Sequence, residues 1–248
     1  MVRRHFYIPL AIGLLVSFGA TAQLLPTYGE ERAGLSAFTF LKLPIDPAST
    51  AVGGASLAMT DHSFGTLINP ALISGGNQQG VFSANRALGG GINHDFVALT
   101  KARENGQHIA LTLNSLSTGS ILERTVWQPE GTGATTSAAL TCVGLGVSQA
   151  FSEYFHTGVQ LKYGLEQLGV YRAHNVYLDL GFLYKLDIAD LQFAAALTNF
   201  GPNTPLSNMP VGQESALAAT PQMFSMGIQW TAWKKGDHSL TPSLQLNH

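Results

Sequence analysis

From residue 81 onward, apolar side chains recur at every second position in run after run, and turn-forming residues separate the runs. In 108–114, Ile109, Leu111 and Leu113 share one side of an extended chain, and His108, Ala110, Thr112 and Asn114 share the other. In 141–148, Thr141, Val143, Leu145 and Val147 oppose Cys142, Gly144, Gly146 and Ser148. In 155–165, Phe155, Val159, Leu161, Tyr163 and Leu165 oppose His156, Gly158, Gln160, Lys162 and Gly164. The same split recurs in 175–186, 191–198 and 224–231, and again where Leu240, Leu244 and Leu246 oppose Ser239, Thr241, Ser243 and Gln245. Strand side chains alternate faces, so each run has one apolar face and one small or polar face.

This pattern predicts ten strands, beginning near residues 79, 93, 107, 121, 138, 154, 173, 190, 222 and 238. A soluble sandwich and a membrane barrel both alternate in this way. Two details favour an all-β, transmembrane antiparallel β-barrel. The runs approach the roughly 9–11 residues that a tilted strand needs to cross a bilayer. Their apolar faces carry no charge, while Lys162, Asp179 and Lys185 fall on the polar faces. Aromatic residues near run ends (Tyr154, Phe155, Tyr184, Trp230 and Trp233) suit the girdles of membrane barrels. One hairpin can be given a register: pairing Leu161 with Leu180 keeps the apolar faces together and sets Lys162 opposite Asp179. That is a lumenal pair whose opposite charges strengthen strand pairing or meet a ligand.

The residues before the strands differ. Arg3 and Arg4, the apolar Ile8–Phe18 and Ala20-Thr21-Ala22 form a signal peptide over 1–22, cleaved before Gln23. Residues 23–80 are irregular, with one short helix near Pro47–Ala51, and 81–248 hold the strands. Composition sharpens the picture. Charged residues make up 11% of the 248-residue chain, against roughly 25% in a usual soluble domain. A net charge of −2 leaves no electrostatic footprint for nucleic acid. The single cysteine, Cys142, excludes an internal disulfide and reads as a small buried or lumenal filler.

The residues offer little chemistry. Gly144-Leu145-Gly146 lacks the third glycine and the helix of a nucleotide loop. Asp61-His62-Ser63 are consecutive, whereas a catalytic triad converges from separate segments. The histidines show no metal-ligand spacing. No catalytic residue, cofactor or metal is expected. Asn69-Pro70-Ala71 reads as a turn ahead of the strands.

Several blocks resemble a known family. Phe38-Thr39-Phe40-Leu41-Lys42-Leu43-Pro44 is followed by Ala48–Ala55 with Gly53-Gly54, then by Asp61 and Asn69-Pro70-Ala71-Leu72. This order is similar to the opening of the PorV/PorQ family, its PorQ branch in particular, outer-membrane proteins of the type IX secretion system. Leu197-Thr198-Asn199-Phe200-Gly201-Pro202 forms a second similar block. The family is a distant branch of the FadL barrels. The resemblance implies a FadL-like barrel in the bacterial outer membrane whose lumen is lined or plugged by residues 23–80. Asp61, Asn69, Pro70 and Ala71 would belong to that plug. It also implies a docking role without catalysis in protein secretion and cell-surface attachment. The partners would be other type IX components, C-terminal domains of secreted cargo, and membrane lipid.

Two departures stand out. Pro47-Ala48-Ser49-Thr50 replaces a Ser-Ala-Arg that often precedes the Gly-Gly block. Barrels of the family have about fourteen strands, more than are readable here, and the chain stops at Asn247-His248 without a terminal aromatic. A barrel truncated at the C-terminus, or a smaller closed one, is therefore expected. The alternatives are a FadL-like transporter of hydrophobic small molecules and a soluble exported β-sandwich adhesin.

Overall fold

The computed structural model describes residues 36–60, 64–76, 79–205 and 217–248, so the expected signal peptide lies outside the described residues. In chain order the first strands are β1 (Gly80–Gly89), β2 (Ile92–Ala102), β3 (Gln107–Ser117), β4 (Ile121–Leu122), β5 (Thr135–Thr136), β6 (Ala138–Ala150), β7 (Phe155–Leu168) and β8 (Tyr171–Leu186). There follow β9 (Leu191–Phe200), β10 (Thr204–Pro205), β11 (Leu217–Ala218), β12 (Met223–Gln229), β13 (Trp233–Lys235), β14 (His238–Leu240) and β15 (Ser243–Asn247). Nine of them make one antiparallel sheet in the order β1-β2-β3-β6-β7-β8-β9-β12-β15, and the rest pair as three small ribbons. The sheet is open: among the described residues β1 and β15 each have a strand neighbour on one side only.

The expected strand starts near 79, 93, 107, 138, 154, 173, 190 and 222 fall within two residues of observed long strands. The remaining two do not. Ile121–Leu122 is a two-residue piece of a ribbon, and His238–Leu240 belongs to the β13–β14 ribbon, so the last strand of the sheet starts at Ser243. Pro242 explains the second difference, since it has no N–H to give to a ladder and divides the run.

The expected hairpin register is corrected by two residues. Leu161 pairs with Leu178, Gln160 with Asp179, and Lys162 with Tyr177. The reason is the turn. Leu168 pairs with Tyr171, leaving Gly169-Val170 as a two-residue loop with Gly169 at φ 59°. Tight hairpin turns of this length take glycine where φ is positive. The longer turn assumed from the sequence displaced the whole ladder.

The alternation itself holds, and from β3 onward its sense is the inverse of a soluble sheet, whereas β2 exposes Asp95 and Lys101 and buries Phe96 and Ala98. On β7, Leu161 is 55% exposed, whereas Gln160 on the opposite face is 2% exposed. Leu111, Leu113, Val143, Leu145, Val159, Val176, Phe182, Phe224, Met226, Leu244 and Leu246 are likewise exposed. His94, Thr112, Asn114, Ser148, His156, Asn175, Asp179, Thr198 and Ser225 are buried.

What buries the polar face from β3 onward is the segment described over 36–60 and 64–76. A 3₁₀ turn (Thr39–Lys42), helix α1 (Pro47–Ala51), a second 3₁₀ turn (Gly65–Leu67) and helix α2 (Leu72–Gly75) succeed one another along it. Asp46 starts α1: its carboxylate accepts the Ala48 and Ser49 N–H groups ahead of Pro47 at the first helical position. Three apolar clusters join segment to sheet. Phe38 and Phe40 pack with Leu116, Leu140, Cys142 and Tyr177. Leu57, Ala58, Ala71 and Leu72 pack with Leu183, Ala194 and Ala196. Ile45 packs with Phe96 and Ala98. Each large apolar side chain so buried contributes about 1.5–3 kcal/mol.

A substitution at the turn tests the register argument. Gly169→Val puts a β-branched residue into left-handed backbone, with its Cβ 2.8 Å from Thr136 Oγ1. It is expected to cost about 1–2 kcal/mol, read as a lower urea midpoint, with Gly169→Asn milder. Equal midpoints for wild type and Gly169→Val would mean that another feature sets the register.

Candidate functional site: the seat of the N-terminal segment

Glycines on the inner face make room for the segment. A Cβ on Gly158 or Gly181 would run into Pro70 and Ala71, and one on Gly181 into Asn69 as well. A Cβ on Gly164 would strike the Phe38 ring, which lies edge-on to Tyr177 at 5.5 Å between centroids. Asn69-Pro70-Ala71 is thus seated where β7 and β8 lack side chains, and all three residues are buried.

Asn69 uses its whole amide. Its Oδ1 accepts the Ala71 N–H at 3.0 Å, an Asx turn, and its Nδ2 donates to the carbonyls of Phe182 at 3.1 Å and Leu57 at 3.4 Å. One side chain therefore bends the segment, ties it to itself and ties it to β8. Asp61, expected beside these residues, lies outside the described residues.

The next turn is clipped to the wall. Ser74 and Ser148 share a hydroxyl hydrogen bond of 2.6 Å, and Ser74 Oγ lies 3.3 Å from His156 Nδ1. Lys185 donates to the Gly75 carbonyl at the end of α2, where a cation meets the negative end of the helix. At the other end of the segment, the Phe38 N–H donates to Glu166 Oε2 at 2.6 Å. Both edge strands of the sheet take part: Arg86 on β1 donates to the Pro44 carbonyl, and Leu57 N–H donates to Gln245 Oε1 on β15 at 3.0 Å.

Lys162 and Asp179 meet, although they are not direct cross-strand partners. Lys162 Nζ lies 2.6 Å from Asp179 Oδ2 and also donates to Asn199 Oδ1. Leu180 pairs with Leu197 and Leu178 with Phe200, so Thr198 and Asn199 together stand across from Asp179 as a β-bulge. Asn199 sits at φ 57°, and its N–H donates to Asp179 Oδ1 at 2.7 Å. The ion pair and the bulge hold each other. The sequence placed both charges on the polar face but gave no sign of Asn199 as their third partner.

At the opposite face's rim, Tyr154 donates to Asp187 Oδ2 at 2.9 Å across the β6–β7 and β8–β9 turns. That bond holds the phenol above its ordinary range. Among the described residues no cluster of three metal-ligating side chains occurs.

No protein-family model matches the chain, and no curated protein is significantly similar to it.

Three variants separate the parts of this site. Lys162→Met strands the buried Asp179 carboxylate and is expected to cost about 3–5 kcal/mol. Adding Asp179→Asn, which still accepts from Asn199, is expected to restore much of that in urea unfolding; a double variant no better than the single one contradicts the pairing. Gly181→Val is expected to unseat Asn69, so that chymotrypsin cuts at Phe64 or Leu72 faster than in wild type. An unchanged digest would show that the glycine seat is dispensable.

Proposed function

We propose that the sheet is the wall of an outer-membrane β-barrel whose lumen holds residues 36–76, and that the barrel is a docking component of the type IX protein secretion and cell-surface attachment machinery. The observation that carries the membrane half is the outward apolar face. Water penalises a continuous exposed apolar surface of this kind, and lipid does not. From Phe155 to Leu165 the outward band of β7 spans ten steps of roughly 3.4 Å. Foreshortened by the tilt of barrel strands, that approaches the apolar band of about 25 Å that such barrels present.

Aromatic rings mark the two rims. Phe155 pairs with Tyr184, and Tyr184 with Phe193, giving an exposed row across three strands, with Phe151 6.0 Å from Phe155. Tyr163, Tyr171 and Phe200 are exposed toward the other rim. Rings of this kind settle at the headgroup level. Connections 103–106, 151–154, 187–190 and 230–242 join strands at the first rim, while 90–91, 169–170 and the two longest, 118–137 and the link between Phe200 and Met223, join them at the second. Short periplasmic turns and long outer loops would orient the second rim outward.

Closure follows a parity rule. In this nine-strand meander β1 and β15 run in the same direction. Pairing them directly would make a parallel seam. An all-antiparallel ring needs an odd number of further strands between them, from this polypeptide or a partner, since bare edges in lipid cost several kcal/mol per unpaired group.

The secretion half rests on the resemblance of Phe38–Pro44, Asn69–Leu72 and Leu197–Pro202 to the PorV/PorQ family. Its partners are other type IX components and the C-terminal domains of cargo, bound without bond chemistry. Deleting the gene in its host tests this: cargo carrying such domains is expected to accumulate in the periplasm and to reach the surface again on complementation. Normal cargo display in the deletion strain would contradict the role.

A cavity of about 200 Å³ between the segment and β9, β12 and β15, lined in part by Leu43, Ile45, Leu57 and Met223, favours a second reading as a FadL-like carrier of hydrophobic small molecules. Saturable binding of a radiolabelled long-chain fatty acid to the purified protein would support it, and absence of binding would count against it.

A further inference from the structure

A small space lies where the ion pair meets the segment. It is lined by Thr66 and Leu67 of the segment and by Thr112, Cys142, Gln160 and Lys162 of the wall, among others, and its volume is about 20 Å³. Two of these side chains are unsatisfied there. Thr66 Oγ1 and Gln160 Oε1 have no hydrogen-bond partner among the described residues, and Thr66 and Gln160 are 4% and 2% exposed. Gln160 spends its amide nitrogen on Thr112 Oγ1 at 2.9 Å, which leaves the carbonyl oxygen turned elsewhere. Lys162 spends two of its three N–H groups on Asp179 and Asn199.

We propose that this cavity binds one ordered water, which accepts from the third Lys162 N–H, donates to Gln160 Oε1 and shares a hydrogen bond with the Thr66 hydroxyl. The size fits, since a single water needs roughly 10–15 Å³ of such volume and usually makes about three hydrogen bonds. The chemistry selects water over an ion. The Lys162 ammonium repels a cation, and Asp179 already balances it, so no anion is called for. Leaving both polar atoms dry would cost about 1–3 kcal/mol each. The water thus links the ion pair of β7 and β8 to the segment, at a place where the two have no direct hydrogen bond through Thr66. This holds whether or not the barrel serves secretion.

Cys142 lines the same cavity and is 2% exposed, which supplies an internal reporter. The full chain, purified and folded in detergent, is given a millisecond X-ray pulse, which makes hydroxyl radicals from bound as well as bulk water, and Cys142 oxidation is read by mass spectrometry. A maleimide probe on the same sample reports access from bulk solvent. Cys142 is expected to be oxidised in the wild type while staying closed to maleimide. Thr66→Val with Gln160→Met is expected to lower that oxidation several-fold without opening Cys142 to maleimide. If the double variant does open, Thr66→Val alone makes the comparison. Wild-type Cys142 that escapes oxidation, or oxidation equal in wild type and in a variant still closed to maleimide, would overturn the proposal.

Discussion

The structure depends on an inversion of the usual solvent relation. From β3 to β15 one face of the sheet is largely apolar and uncovered, and the other is largely polar and covered; on β2 the exposed face carries Asn93, Asp95 and Lys101 and the covered face Phe96 and Ala98. In water that arrangement exposes what should be hidden and hides what should be hydrated. In a bilayer both terms change sign. On the proposed reading the outward leucines, valines and aromatics would meet lipid, while the inward amides, hydroxyls and charges meet one another and a polypeptide segment. The remaining features, the glycines on the inner face, the ion pair and the clips on the segment, answer the question of how a polar interior is kept satisfied.

Two devices answer it. Where the segment runs closest to the wall, the wall loses its side chains. Gly158 and Gly181 admit Asn69-Pro70-Ala71 against the strand backbones, and the Asn69 amide then caps a strand carbonyl directly. Where the wall carries charge, the charge is paired locally. Lys162 and Asp179 neutralise each other and together fix the Asn199 bulge, which bends β9 beside the segment. A buried pair of this kind contributes little net stability, because desolvation offsets the attraction. What it contributes is a defined geometry at the centre of the seat.

Much of the wall was legible in the sequence, because period-two alternation is a direct image of a pleated strand with two unlike surroundings. The faces of 108–114, 141–148 and 155–165 came out as expected, while the exposed side of β2 carries Asp95 and Lys101. Strand register was less legible. It hung on where the turn is centred: a centre one residue later than Gly169-Val170 shifts the ladder by two. The site was half legible. Asn69, Pro70, Ala71, Lys162 and Asp179 were singled out, but Ser74, Ser148, His156, Lys185 and Asn199 were not. Their roles rest on contacts between residues far apart in the chain, such as Ser74 with Ser148. The one local hint was that Ser148, His156 and Lys185 all lie on polar faces, which says that they point inward and leaves their partners unnamed.

The most direct measurement of the central claim is a nitroxide scan along β7. With Cys142→Ala as background, single cysteines at Val159, Gln160, Leu161 and Tyr163 carry a spin label in the purified protein reconstituted into lipid vesicles, and collision rates with oxygen and with a water-soluble nickel complex are compared. The account predicts an alternation: labels at Val159, Leu161 and Tyr163 collide readily with oxygen and rarely with nickel, and a label at Gln160 between them is shielded from oxygen. Labels at Val159, Leu161 and Tyr163 that collide freely with nickel would place the apolar face in water and contradict it.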